Sequence, residues 1–119
     1  MRGEATPLFL VFDSTALDGH LYRIVELCPP TLDDFRSYEA LGRSYDRRDF
    51  FKGTGVSMHT SRERAVAVAR RYQLGHGVAA LELRAAPMVW ARTGVRGHVT
   101  VWAPPELLRQ AVVQCVEHE

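Results

Sequence analysis

The stretch GTGVSMHTSRERAVAVARRY, residues 53–72, predicts the change from strand to helix that decides the fold. A glycine-marked turn leads into a short strand over residues 55–59, and an amphipathic helix follows at once. Thr60 and Glu63 have the spacing of a capping box, in which side chains bond the free backbone N–H groups at a helix start. The helix should dock on a sheet through its apolar stripe, Ala65, Val68, Ala69 and Tyr72.

The chain before this stretch predicts one strand, one helix and one loop. The segment HLYRIVEL, residues 20–27, is rich in strand-favouring residues and ends where two prolines cannot continue a ladder. Thr31 and Asp34 form another capping-box pattern, and helical spacing of apolar residues predicts a helix over residues 32–41. The charge-dense segment 42–55 has no period and predicts a surface loop.

The chain after the stretch predicts four strands with short connections. These are GVAALEL, MVWAR, HVTVWA and QAVVQCVE, with a helical turn around Glu106 before the last. Several connections are too short for the crossover that parallel strands need. We therefore predict an α+β fold: a single compact domain with a mixed or mostly antiparallel sheet of about six strands and two main helices.

Length and charge restrict the class of protein. The 119 residues fit one domain over residues 1–119, with a core at 20–117 and an N-terminal segment 1–19 in which LFLVF predicts an extra strand. No apolar run approaches the ~20 residues of a membrane helix, so we expect no membrane partner. A net charge of +1 provides no field for binding nucleic acid.

The cysteines and histidines indicate neither cross-links nor metal. Cys28 and Cys115 lie far apart and form no CxxC pair, so we expect no zinc site and no disulfide. That expectation favours a reducing, cytoplasmic location. The five histidines are scattered without an H-x3-H or HExxH pattern, and we expect no metal.

Arg23 is the candidate ligand-binding residue of the first strand. Alternation places it on the same face as Leu21 and Val25. A buried cation needs a partner, because an unpaired buried charge costs several kcal/mol. Arg23 therefore either pairs internally or binds a phosphate or carboxylate, for which its forked donors are suited.

Two further strands each place polar side chains on one face. Ser57 and His59 alternate with apolar residues and come directly before the free N–H groups of a helix start, which favour anions. On the later strand, His98, Thr100 and Trp102 share one face. Such a face can bond a sugar and stack on a heterocycle, or it can simply be the solvated side of an antiparallel sheet.

The triplets HTS, residues 59–61, and HVT, residues 98–100, have the H-x-S/T form of the two-histidine phosphoesterases. In those enzymes paired imidazoles act as general acid and base on a cyclic phosphate. The middle residue of HTS is polar where that family prefers an apolar one. This resemblance therefore supplies a lesser alternative function.

The order of elements over residues 20–117 resembles the ADP-ribosyltransferase-like fold. The resemblance implies NAD as cofactor. In that family an Arg or His on the first strand holds the phosphate or ribose, which falls here on Arg23, or on His20 and Tyr22. A Ser or Thr before the second helix supports the nicotinamide pocket, which matches Ser57, with Thr60 as the alternative.

One family residue is missing. The resemblance requires a Glu on a late strand of the form E-h-h-h-P, whereas this chain has His98 or Thr100 there and Glu106 only beyond the prolines. A neutral or cationic side chain cannot stabilise positive charge that develops on a ribose as a carboxylate does. The departure puts transfer of ADP-ribose in doubt.

The resulting hypothesis is an NAD-dependent ADP-ribosyltransferase or NAD-cleaving enzyme, a small toxin or modifier with a protein target. The alternative is a non-catalytic module of the same fold that binds a nucleotide or a protein. The predicted catalytic residues are Ser57 and His98, and the predicted cofactor-binding residues are Arg23, Tyr22, Ser57, His59, Thr60 and Trp102.

Overall fold

Seven strands form one sheet in the computed structural model, which describes residues 10–11, 20–44, 53–83, 89–93 and 97–118. The strands are β1 (Leu10–Val11), β2 (His20–Val25), β3 (Val56–His59), β4 (Gly77–Glu82), β5 (Val89–Arg92), β6 (His98–Trp102) and β7 (Val112–Glu117). Their order across the sheet is β1-β5-β6-β3-β2-β4-β7. All of these described pairings are antiparallel.

The helices that lie wholly within the described ranges are α1 (Arg62–Tyr72), α2 (Pro105–Gln110) and a 3-10 helix (Leu32–Phe35). The α+β class and the antiparallel sheet are thus confirmed. β1 lies within the predicted LFLVF strand and pairs with β5, while the rest of segment 1–19 lies outside the described residues. So does residue range 45–52 of the predicted loop.

The sheet has a core face and an opposite face. Residues directly across antiparallel strands share a face, so Leu21, Arg23 and Val25 of β2 lie with Met58 of β3 on the core face. The 3-10 helix and α2 cover this side, and Phe35 and Leu108 are fully buried in its cluster. On the opposite face, α1 packs over β2, β3 and β4.

Helix α1 begins one residue later than predicted. Its N-cap is Ser61, whose side chain accepts from the Arg64 N–H at 3.2 Å, while the Thr60 N–H donates to the Gly97 carbonyl at 2.9 Å. The backbone of Thr60 therefore links the end of β3 to the start of β6, and Thr60 is not the N-cap. The predicted docking stripe is also too long, because Tyr72 is 61% exposed.

The predicted helix over residues 32–41 is wrong in its length. Only one 3-10 turn forms, and the backbone becomes extended at Arg36, with φ −99° and ψ 144°. The Asp34 carboxylate accepts from the Thr31 N–H at 2.8 Å and also from the Glu26 N–H at 3.0 Å. This carboxylate ties the turn back to the end of β2, so the segment follows the sheet rather than continuing as a helix.

The prediction of unpaired cysteines is wrong. Cys28 and Cys115 form a disulfide, and both pack against the hydrophobic core. β2 and β7 flank β4, so the turn after β2 lies beside the last strand. The pairing depends on this strand order, which the spacing of the two cysteines does not show.

Within the described ranges, the structure contains no helix long and apolar enough to cross a bilayer.

Candidate functional site

Two neighbouring strands bring the predicted polar side chains together. In the register of β3 and β6, Ser57 lies opposite Thr100 and His59 lies opposite His98. Opposite residues share a face, and Trp102 follows two positions after Thr100. We call this set the histidine face: Ser57, His59, His98, Thr100 and Trp102.

The two imidazoles lie edge to face, with ring centroids 5.3 Å apart. His59 is only 4% exposed, and its Nδ1 atom is buried without a hydrogen-bond partner. Burial lowers the pKa of His59 to about 4, helped by the positive potential of His98, Arg64 and Arg23. The His59 ring is therefore neutral at physiological pH.

His98 is held from the end of β5. Its Nδ1 atom lies 2.8 Å from the Thr93 hydroxyl and 3.1 Å from the Thr93 carbonyl. The same hydroxyl lies 2.8 Å from that of Thr100, which is fully buried. Thr93 thus fixes two members of the histidine face, and sequence reasoning missed it because only the β5–β6 pairing brings it there.

Trp102 is positioned by the residues just before β3. Its indole N–H donates to the Thr54 hydroxyl at 3.0 Å. A Cβ on Gly55 would come within 2.2 Å of Thr100 Cγ2 and 3.0 Å of Trp102 Cε2, so no larger residue fits there. The GTG segment, residues 53–55, thus contacts the histidine face through Thr54 and Gly55.

Arg23 does not join this site. Its side chain lies on the core face, where Nε donates to the Asp34 carbonyl at 2.8 Å and an Nη donates to the Ser57 carbonyl at 3.0 Å. Burial lowers the pKa of Arg23, against the opposing charges of Asp34 and Tyr38. The predicted site residues therefore do not all lie together, because the Arg23 guanidinium is on the opposite face of the sheet from the Ser57 hydroxyl and His98.

Tyr22 borders the histidine face but is covered. It lies opposite His59 in the sheet, and the guanidinium of Arg62 lies 5.4 Å from its ring centroid. Arg62 also donates to Gln114 at 2.6 Å, which anchors it over the tyrosine. His20, the other first-strand candidate, lies further along β2.

Arg64 is a residue that sequence reasoning missed. Its side chain crosses Gly97, where an added Cβ would meet Arg64 Cδ at 2.7 Å and Nε at 3.1 Å. Its Nε is buried and has no hydrogen-bond partner. On the helical wheel Arg64 is an ordinary surface residue, and only the turn before β6 brings it near His59.

Among the described residues, no three His, Cys, Asp or Glu side chains are grouped to hold a metal ion. Comparison with known proteins finds no matching family model, no matching curated protein and no matching solved structure.

Proposed function

We propose that the chain binds a nucleotide on the histidine face, with NAD as the first candidate. The register that aligns His59 with His98 and Ser57 with Thr100 is the observation that supports this. On this face the half-buried Ser57, His98 and Trp102 present a hydroxyl, an imidazole and an indole, a combination suited to the sugar and the heterocycle of a nucleotide. The proposal keeps the resemblance to the ADP-ribosyltransferase-like fold as its working hypothesis.

The composition of the face favours binding without transfer. None of its five side chains is a carboxylate, and Arg23 donates to internal carbonyls on the other side of the sheet. Cleavage of the nicotinamide bond builds positive charge on the ribose, which imidazole and hydroxyl groups stabilise poorly. A non-catalytic module is therefore the preferred form of the proposal, and an NAD-cleaving modifier of a protein target is its alternative.

Calorimetric titration with NAD tests the proposal. We expect saturable binding to the wild-type chain, about tenfold weaker binding after His98→Ala and no effect of His76→Ala. His76 is a matched control, because it is an exposed histidine whose ring lies 3.9 Å from Glu26, away from the histidine face. Nicotinamide release in the same samples separates the module from the enzyme.

No heat of binding with NAD, or equal loss in both variants, would overturn the NAD proposal. Circular dichroism of each variant shows whether a loss reflects misfolding. Ser57→Ala offers a smaller change on the same face, since the Ser57 side chain is half-buried at the surface of the sheet.

A two-histidine phosphoesterase is the second candidate. The specific observation for it is the contact between the histidines of the HTS and HVT triplets. His59 is neutral and so has a lone pair for the proton of attacking water, although its pKa of about 4 makes it a weak general base. Against it, the Ser61 hydroxyl caps α1 instead of facing the pair. Hydrolysis of a 2′,3′-cyclic nucleotide, lost in His59→Gln, would favour this function over NAD binding.

The cytoplasmic location stays a prediction. The prediction depended on the expectation that the cysteines are unpaired, and the Cys28–Cys115 disulfide removes that support. Disulfides are typical of oxidising compartments. Titration of free thiols in protein taken directly from the producing cell tests the location.

A further inference from the structure

We propose that Arg64 and His59 form an anion site that holds a phosphate group at the junction of β3, α1 and β6. The site deepens the nucleotide-binding proposal and rests on it for the identity of the whole ligand. It transfers the phosphate contact from Arg23, where sequence reasoning placed it, to an arginine on the other face of the sheet.

Unmet hydrogen-bonding groups mark this junction. Arg64 Nε and His59 Nδ1 are both buried without a partner, although buried polar groups in folded proteins are almost always bonded. A buried group left unmet keeps the full penalty of its desolvation. Both groups belong to residues at the junction of β3, α1 and β6, and leaving them unmet is a cost to folding that a bound ligand can offset.

The charges around His59 are positive. His98 faces it from β6, Arg64 from α1 and Arg23 from β2 through the sheet, and each of them lowers the pKa of His59. Tyr22 is the titratable residue opposite it on β2. An anion bound here would be attracted by this potential and would in turn favour a protonated His59.

The backbone adds to the same potential. α1 is eleven residues long and begins at Arg62, directly after the Ser61 cap, so its positive end lies at this junction. The Thr60 N–H bonds Gly97, which holds the start of β6 against the end of β3. Gly97 has φ +88° and no side chain, and this lets Arg64 lie across it.

Phosphate is the anion that fits these donors. A guanidinium presents planar paired N–H groups that match phosphate oxygens, and an imidazole supplies one further donor when protonated. Arg64 is half-buried, so part of its side chain reaches the surface. A nucleotide whose base and sugar occupy the histidine face would place its phosphate beside this arginine.

The first test uses the wild-type chain with inorganic pyrophosphate, followed by NMR of the His59 ring. We expect saturable shifts and a rise of about one unit in the His59 pKa on saturation. Binding should tighten as the pH falls. Absence of any shift at His59 at millimolar pyrophosphate would overturn the anion site.

The second test compares two arginines of the same helical turn. Arg64→Gln should weaken pyrophosphate binding about tenfold, whereas Arg62→Gln should change it less than about twofold. Arg62 is the matched control, because the same charge is lost from a side chain anchored over Tyr22 and Gln114. Equal losses would mean a general charge effect and would overturn the site.

A third comparison separates this inference from the proposed function. ADP should compete with pyrophosphate, and adenosine should not. If NAD binds with equal strength to wild type and Arg64→Gln, the anion site fails and the proposed function stands. If pyrophosphate binds at His59 and NAD does not, the site stands and the nucleotide proposal fails.

Arg64→Lys is the substitute variant if Arg64→Gln does not fold. It retains the positive charge, so pyrophosphate binding that persists in folded Arg64→Lys supports the site.

Discussion

Two arginines on opposite faces of the sheet differ in how their buried N–H groups are bonded. On the core face, the Arg23 guanidinium donates to two carbonyls, those of Asp34 and Ser57. On the histidine face, Arg64 Nε and His59 Nδ1 have no partner. The difference indicates that Arg23 serves stability, whereas Arg64 Nε and His59 Nδ1 are polar atoms that remain unmet at a cost. Stability and ligand binding should therefore respond to different substitutions.

The largest expected effect is loss of the disulfide on the core-face side. Replacing both Cys28 and Cys115 by Ala frees a loop of sequence separation 87 in the unfolded chain. The chain-entropy relation gives a loss of about 4.6 kcal/mol in the free energy of unfolding. Urea unfolding of the double variant measures this loss. Urea unfolding of the reduced wild type gives a second measurement of the chain without the Cys28–Cys115 bond. A loss below about 1 kcal/mol would contradict a stabilising role for the bond.

The next effect is a pH dependence that comes from the histidine face. The pKa of His59 is about 4 in the folded chain against its ordinary 6.5, so the unfolded chain binds the proton more strongly between these values. Stability should therefore fall as the pH falls from 6.5 to 4, by about 3 kcal/mol in total. Urea unfolding of wild type and His59→Gln across this window isolates the contribution. Parallel pH profiles for the two proteins would refute it.

A third, smaller effect tests the structural role of Arg23. Arg23→Met keeps much of the buried volume but leaves the Asp34 and Ser57 carbonyls without their charged donor. The variant loses two charge-assisted hydrogen bonds, but it no longer has to bury a cation. Because the second effect partly offsets the first, we expect the free energy of unfolding to fall by about 2 kcal/mol. Arg36→Met is the matched control, because Arg36 pairs with Asp33 at the surface. If Arg23→Met abolished NAD binding while stability stayed unchanged, the assignment of Arg23 to the core face would be reversed.

The smallest effect concerns the order of the histidine face. Thr93→Val removes the hydroxyl that bonds both His98 and Thr100. We expect about 1 kcal/mol of destabilisation, since neutral hydrogen bonds contribute about that much. NMR of the His98 ring should show a change in its environment while β5 and β6 remain paired. An unchanged His98 signal would show that the Thr93 carbonyl alone holds the ring.

Much of the fold was predictable from local patterns. The strands at 98–102 and 89–92, the helix after Thr60 and the α+β class follow from alternation, helical spacing and turn residues. The helix expected over 32–41 failed because the Asp34 carboxylate bonds the Glu26 N–H of an earlier segment. Local spacing carries no information about such a partner.

The candidate site was predictable only in part. Alternation along β3 and β6 correctly grouped Ser57 with His59 and His98 with Trp102. Thr93, Arg64 and Gly97 could not be found, because each reaches the site through strand pairing or a turn. The partner of Arg23 was left open between a ligand and the protein, and two carbonyls from distant segments fill that place.

By itself the sequence determined most of the strands, helix α1 and which side chains share one face of a strand, because these depend on periods of two and 3.6 residues. Only the tertiary structure decided which strands are neighbours, and with that the disulfide, the contact between His59 and His98 and the isolation of Arg23. The physical reason is that strand order is fixed by burial and hydrogen bonding between segments far apart in the chain, and no local period records those contacts.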